Sequence, residues 1–291
     1  MNLPEDVPAL RQALGTVGYL ADEALATALF LAVRMGSPIL LEGEPGVGKT
    51  AAAKALAAAL STPLVRLQCY EGLTAAEALY EWNYPRQLLA IRLAETGGRQ
   101  LAEADLFTRD YLLARPLLAA LEHPGPRPAV LLLDEVDRAD DEFEAFLLEL
   151  LAEASVTIPE LGTRTAVVPP VAVLTSNRTR DLHDALKRRC LYHFIAYPDT
   201  DRVAAIIRQR VAGIGDPLAD QVAAAVARLR SLELYKPPGV AEAIDWAGAL
   251  RVLGVGLLDQ VNAARTLSTV VKYDEDLAVA TGRLAEVVGD G

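Results

Sequence analysis

The stretch Leu41–Thr50 reads LEGEPGVGKT and runs straight into AAAKALAAAL over 51–60. A glycine-rich turn that opens directly onto an alanine-rich helix asks what the turn is shaped to hold. Gly43, Glu44, Pro45, Gly46, Val47, Gly48, Lys49 and Thr50 fit the spacing G-x-x-x-x-G-K-[ST]. Glycines at these points let backbone N–H groups turn inward around a polyphosphate. The lysine reaches the β and γ phosphates, and the threonine hydroxyl is a ligand for Mg²⁺. The helix behind the turn aims the positive end of its dipole at the same anion. Alanine forms that helix at little entropic cost. A short apolar run, Ile39–Leu41, reads as a strand entering the turn. A chance glycine turn explains none of this context, so the segment is expected to hold a nucleoside triphosphate.

Outward from the turn, apolar runs recur at Pro63–Cys69, Ala129–Glu135, Val171–Asn177 and Leu191–Pro198. Uniformly apolar strands suit a parallel sheet covered on both faces. Helical patterns lie at Leu20–Val33, Ala51–Leu60, Arg115–Glu122 and Asp141–Ala154. The alternation predicts an α/β domain with a doubly wound, five-stranded parallel sheet. Two segments interrupt it. One is Tyr70–Thr108, rich in aromatics and charge; the other, Ser155–Pro169, has two alternating runs around ELGT and reads as a β-hairpin. Beyond Pro198 the strands stop and the chain turns alanine-rich and helical. The expected organisation is an α/β nucleotide-binding domain over 1–198 and a smaller all-helical domain over 199–291.

The 291 residues carry 52% hydrophobic residues, enough for a sizeable core, and a net charge of −11. An acidic surface repels phosphate backbones, which argues against nucleic acid as the main partner. Two cysteines, Cys69 and Cys190, and three scattered histidines make neither a disulfide framework nor a Cys/His metal site. The N-terminal residues show no signal-peptide pattern and the longest early apolar run is too short to span a bilayer. A cytoplasmic protein without a membrane span is expected.

VLLLDE ends an apolar strand with Asp134 and Glu135. Asp134 is placed to hold Mg²⁺ through its water shell, and Glu135 to polarise an attacking water as general base. LTSN ends the next strand with Asn177, whose amide would orient that water. A guanine-reading N-K-x-D is not matched by NRTRD, which favours ATP. DALKRRC sets Arg188 and Arg189 at the end of a short helix, where a guanidinium could reach the γ-phosphate held by a neighbouring subunit.

Together, GEPGVGKT, LLLDEVDRA, LLELLAE, LTSN and ALKRRC resemble the AAA+ ATPases, and more narrowly the MoxR family, over nearly the whole chain. The hairpin resembles that family's insertion before the sensor strand, and Leu106–Glu122 its second-helix insertion. The stretch Gln68–Leu89 resembles the CoxD-like subgroup and its relatives NorQ and CbbQ. The resemblance implies a Walker A pair at Lys49 and Thr50 and a Walker B pair at Asp134 and Glu135. It implies sensor 1 at Asn177 and an arginine finger at Arg189, with Arg188 the second candidate. It further implies ATP and Mg²⁺ as cofactors, a hexameric ring, a von Willebrand A-domain partner and a client metalloenzyme. For the CoxD-like subgroup that client is a molybdenum-containing carbon monoxide dehydrogenase; Rubisco or nitric oxide reductase is the CbbQ/NorQ alternative, and a nucleic-acid motor a more distant one. In one place the chain departs from the family. Where MoxR relatives carry a sensor 2 arginine, KPPGVAEAIDW offers Ala241 or Glu242, with Lys236 or a neighbouring subunit as candidate substitutes.

Overall fold

A computed structural model describes residues 3–98 and 100–289. Its main sheet has five strands: β1 (Ile39–Glu42), β2 (Leu64–Gln68), β5 (Val130–Asp134), β8 (Val171–Ser176) and β9 (Leu191–Phe194). Their order across the sheet is β2-β5-β8-β1-β9, and β2/β5, β5/β8 and β8/β1 pair in parallel. The three central strands are buried at every position, while β2 and β9 are partly exposed. That is why ILLE, VLLLD and VAVLTS are almost unbroken apolar runs: helices cover both faces of a central parallel strand. Each fully buried leucine or valine there contributes about 1.5–3 kcal/mol. The edge strand β9 ends at Phe194, four residues short of the expected Pro198.

The order puts β8 between the strand that enters the glycine turn and the strand that ends at Asp134. In register, Gln68 lies beside Asp134, and Glu42 beside Ser176. The polar residues of four strands therefore collect at one edge of the sheet, at the strands' carboxyl ends.

The two interruptions fold into small sheets. In the first, β3 (Tyr80–Trp82) pairs antiparallel with β4 (Leu112–Ala114), a pairing the sequence pattern did not reveal. Both strands are three residues long, too short to show a period. Trp82 anchors this piece edge-on to Tyr80 and Phe107. In the second, β6 (Ser155–Ile158) and β7 (Gly162–Thr165) form the expected hairpin, with Ser155 opposite Thr165.

The chain divides into two compact units. The first runs up to Leu14, then over Ala21–Glu42 and Ala52–His193; it contains the sheet and both interruptions. Its core includes Leu40, Leu131, Leu133, Phe143, Leu147 and Leu174. The second takes Gly15–Leu20, Gly43–Ala51 and everything from Phe194 onward. Its helices Thr200–Arg210, Asp216–Ser231 and Val240–Val252 pack around the buried Trp246, whose indole N–H donates to Thr266 Oγ1 at 2.7 Å. The glycine turn thus clusters with the C-terminal helices. No helix among the described residues is long and apolar enough to cross a membrane.

Candidate functional site

The turn Gly43–Gly48, in the second unit, leads into the helix Lys49–Leu60, of which the second unit takes only the first turn, up to Ala51. Gly46 sits at φ +80°, a left-handed conformation that only glycine adopts without strain. At Gly43 a Cβ would run into the Ile195 carbonyl oxygen. Lys49 is buried, and its Nζ donates to the Gly43 and Glu44 carbonyl oxygens at 2.7 and 2.8 Å. The lysine is thereby folded back over the loop it belongs to. Thr50 follows on the first turn of the helix and is half-buried.

In the first unit, the strand ends bring Asp134, Glu135 and Asn177 together with partners that the motifs did not name. Asp134 is 2% exposed. Its Oδ1 accepts from Thr175 Oγ1 at 2.7 Å, and its Oδ2 pairs with Arg66 Nη2 at 2.7 Å. A buried, hydrogen-bonded carboxylate is the hard oxygen donor that Mg²⁺ prefers. Arg66 already holds Oδ2 through Nε and Nη2, so a divalent ion would meet this carboxylate by displacing the guanidinium or through a water shell. Glu135 adopts φ +57°, ψ +50°, rare for a residue with a side chain. Its N–H donates to Thr175 Oγ1 at 2.9 Å. Thr175 therefore bridges the two acids. The Glu135 carboxylate accepts from Gln68 Nε2 at 3.1 Å and lies 3.5 Å from Arg138. Gln68 was not singled out as a site residue; its role follows from the β2/β5 register, which the local sequence does not encode.

Asn177 follows the last residue of β8. Its backbone N–H donates to Asp137 Oδ2 at 3.2 Å, and its side-chain amide makes no hydrogen bond among the described residues. Thr179 adds an N–H at 2.8 Å and a hydroxyl at 2.7 Å to the same oxygen. The fully buried Glu144 accepts from the His183 N–H at 2.9 Å and from Arg180. Asp137 and Glu144 hold the loop that leads to the helix Asp184–Arg189. Arg188 and Arg189 end that helix, both exposed and without a hydrogen bond or ion pair among the described residues.

The position expected for a sensor 2 arginine is at the start of the helix Val240–Val252. Glu242 there turns its carboxylate to the Gly239 N–H at 2.9 Å. Lys236 lies 5.9 Å over the Tyr273 ring. Within this unit Arg230, from the helix Asp216–Ser231, reaches the glycine turn, with Nη2 at 2.7 Å from Glu44 Oε2. A basic residue in the last helical turn reads as a routine dipole partner, which is why it carries no signal in the sequence.

Residues 38–190 match the AAA domain, dynein-related subfamily. The denitrification regulatory protein NirQ of Pseudomonas aeruginosa is 27% identical over 254 residues, covering 85% of this chain and 87% of that protein. The Lon protease of Halothermothrix orenii is 34% identical over 128 residues; they make up 42% of this chain and 13% of the protease. Among solved structures, a mutant of Thermotoga maritima RuvB superposes with a TM-score of 0.51 at 17% identity, over 88% of this chain and 72% of that one. That likeness concerns the fold. The family match covers more than half of the chain and contains the glycine turn and the ends of β5 and β8. The chain belongs to the AAA domain family, dynein-related subfamily.

Proposed function

We propose that this protein hydrolyses ATP and uses the cycle to remodel a client metalloenzyme. Lys49 would neutralise charge on the β and γ phosphates, Thr50 and Asp134 would serve Mg²⁺, and Glu135 would take the proton of the attacking water. Mg²⁺, when bound, supplies electrostatic stabilisation of the phosphoryl oxygens. The observation that carries the hydrolytic reading is the pairing around Thr175. One hydroxyl donates to the Asp134 carboxylate and accepts from the Glu135 backbone N–H, while Gln68 Nε2 donates to the Glu135 carboxylate, so the two acids are held by different partners. A switch that only binds nucleotide has no need of a second acid held in a left-handed backbone.

The similarity to NirQ over most of both chains supports the client reading. It favours the nitric oxide reductase alternative over the carbon monoxide dehydrogenase that Gln68–Leu89 suggests. A ring of subunits, with Arg189 or Arg188 completing the neighbour's site, fits two exposed guanidinium groups that have no partner among the described residues. A von Willebrand A-domain protein is the adaptor we infer. The β6–β7 hairpin runs into β8, which carries Asn177 at its end, so it is the element we assign to relay loss of the γ-phosphate.

The test is metal occupancy and activity of the candidate reductase purified from cells with or without this protein. We expect the reductase to be fully made but catalytically immature without it. Equal maturation in both strains, for the reductase and for the dehydrogenase alike, would reject the client reading.

A further inference from the structure

The helix Asp216–Ser231 delivers Arg230 to the glycine turn in a held geometry. Its guanidinium stacks 3.8 Å over the Tyr197 ring. Nη1 donates to the Pro238 carbonyl oxygen at 2.8 Å, and Nη2 meets Glu44 Oε2 at 2.7 Å. The Arg230 side chain is 17% exposed, whereas that of Glu44 is 59% exposed. One partner is locked by a ring and a carbonyl, and the other is a free-standing carboxylate that would wander without it. Planar stacking combined with forked donation is what arginine does and lysine does not.

Glu44 also has a second task. Its carbonyl oxygen is one of the two that hold Lys49 Nζ. A second tie joins the same segments: the Val240 N–H donates to the Gly46 carbonyl at 3.1 Å, and Gly239 lies against Gly46 so closely that a Cβ on Gly239 would come within 3.0 Å of the Gly46 Cα. Residues 230, 238 and 240 therefore grip the turn at 44 and 46. Lys49, whose ammonium must be delivered to a polyphosphate, is held by the residue that Arg230 pins.

We propose that Arg230 is a positioning residue for nucleotide binding: through its ion pair with Glu44 it holds the glycine turn, and with it Lys49, in the shape that receives a triphosphate. This rests on the reading of Gly43–Thr50 as a nucleoside triphosphate loop. It assigns to the C-terminal helices a contact with the loop itself, made from a helix other than the one where a sensor arginine was looked for. Preorganisation of this kind raises affinity by removing an ordering cost. Its loss therefore shows in KM and Kd, while the chemical step at saturation is untouched.

The experiment measures binding of a fluorescent ADP and steady-state ATPase in wild type, Arg230→Met, Arg230→Lys, Glu44→Gln and the Arg230→Met/Glu44→Gln double variant. Lys49→Ala serves as the non-binding control. Arg230→Met is expected to raise Kd and KM about 3- to 10-fold, between the yield of an exposed ion pair and that of a charge-assisted hydrogen bond, with kcat within about twofold. Arg230→Lys should recover part of the loss. The double variant should be no worse than the poorer single variant, because the two residues act as one unit. Multiplying effects in the double variant, or unchanged Kd in both single variants, would overturn the proposal while leaving the nucleotide reading intact. A wild type that binds no better than Lys49→Ala would overturn both. If Arg230→Met does not fold, Glu44→Gln decides alone, since it alters an exposed carboxylate without changing any packing.

Discussion

Asp137 and Asn177 are tied by a hydrogen bond from the Asn177 N–H to Asp137 Oδ2 at 3.2 Å, and the same oxygen receives both donors of Thr179. Asp137 is 2% exposed, and its other oxygen, Oδ1, is buried without a hydrogen-bond partner among the described residues. One carboxylate oxygen thus organises the loop after β8 while the other contributes nothing to it. Replacement by alanine would strand two backbone N–H groups and a hydroxyl. We expect Asp137→Ala to lose about 2–4 kcal/mol of stability and at least about tenfold in kcat, the scale of a displaced reacting group. Asp137→Asn keeps one acceptor oxygen toward the three donors and sets its NH₂ at the idle position. It should retain most of both properties. Urea denaturation and steady-state turnover measure the pair; an asparagine variant as damaged as the alanine one would show that charge, not geometry, matters at this position.

Glu144 is fully buried and depends on Arg180 for its compensating charge. Arg180→Ala leaves the carboxylate with the His183 N–H alone. Removing one partner of a buried pair costs about 3–5 kcal/mol; because the Arg180 side chain is itself 33% exposed, the lower end is expected. Chemical denaturation of the purified variant reads this directly, and a shift under about 1 kcal/mol, the size of a surface pair, would show that the pair is solvated in practice.

Burial pushes the Cys190 thiol up from 9.0 to about 12. The thiolate is the reactive form, so at pH 8 the folded protein should modify at Cys190 far more slowly than the denatured chain. The rate should keep rising with pH well beyond 9, where an ordinary thiol levels off. Rapid, stoichiometric labelling of the native protein at pH 8 would mean that the segment after Arg189 opens.

Arg189→Ala is expected to keep nucleotide affinity and to lose turnover about 10³-fold or more, the loss typical of a missing arginine finger. Mixing it with Glu135→Gln subunits, which keep the arginine, should restore part of the activity if the guanidinium acts on a neighbour. No recovery at any mixing ratio would place the arginine's action within its own subunit or remove it from the mechanism.

The strand–turn–helix around Gly43–Thr50 was legible because its function needs contiguous residues of set type and spacing. The buried strands were legible because they are apolar on both faces. Gln68, Arg66 and Thr175 were not, since each acquires its partner only through sheet register between positions 67, 68 and 41 apart. Arg230 was harder still. It reaches Glu44 from 186 residues away, and nothing in its helix distinguishes it from an ordinary basic C-terminal residue.

The most direct test of the hydrolytic account is single-turnover and steady-state ATPase of Glu135→Gln beside binding of ATP and Mg²⁺ to the same protein. Gln keeps the shape of the side chain and removes its basicity. The account predicts undiminished binding with turnover lowered about 10²-fold or more. Turnover at the wild-type rate would contradict it.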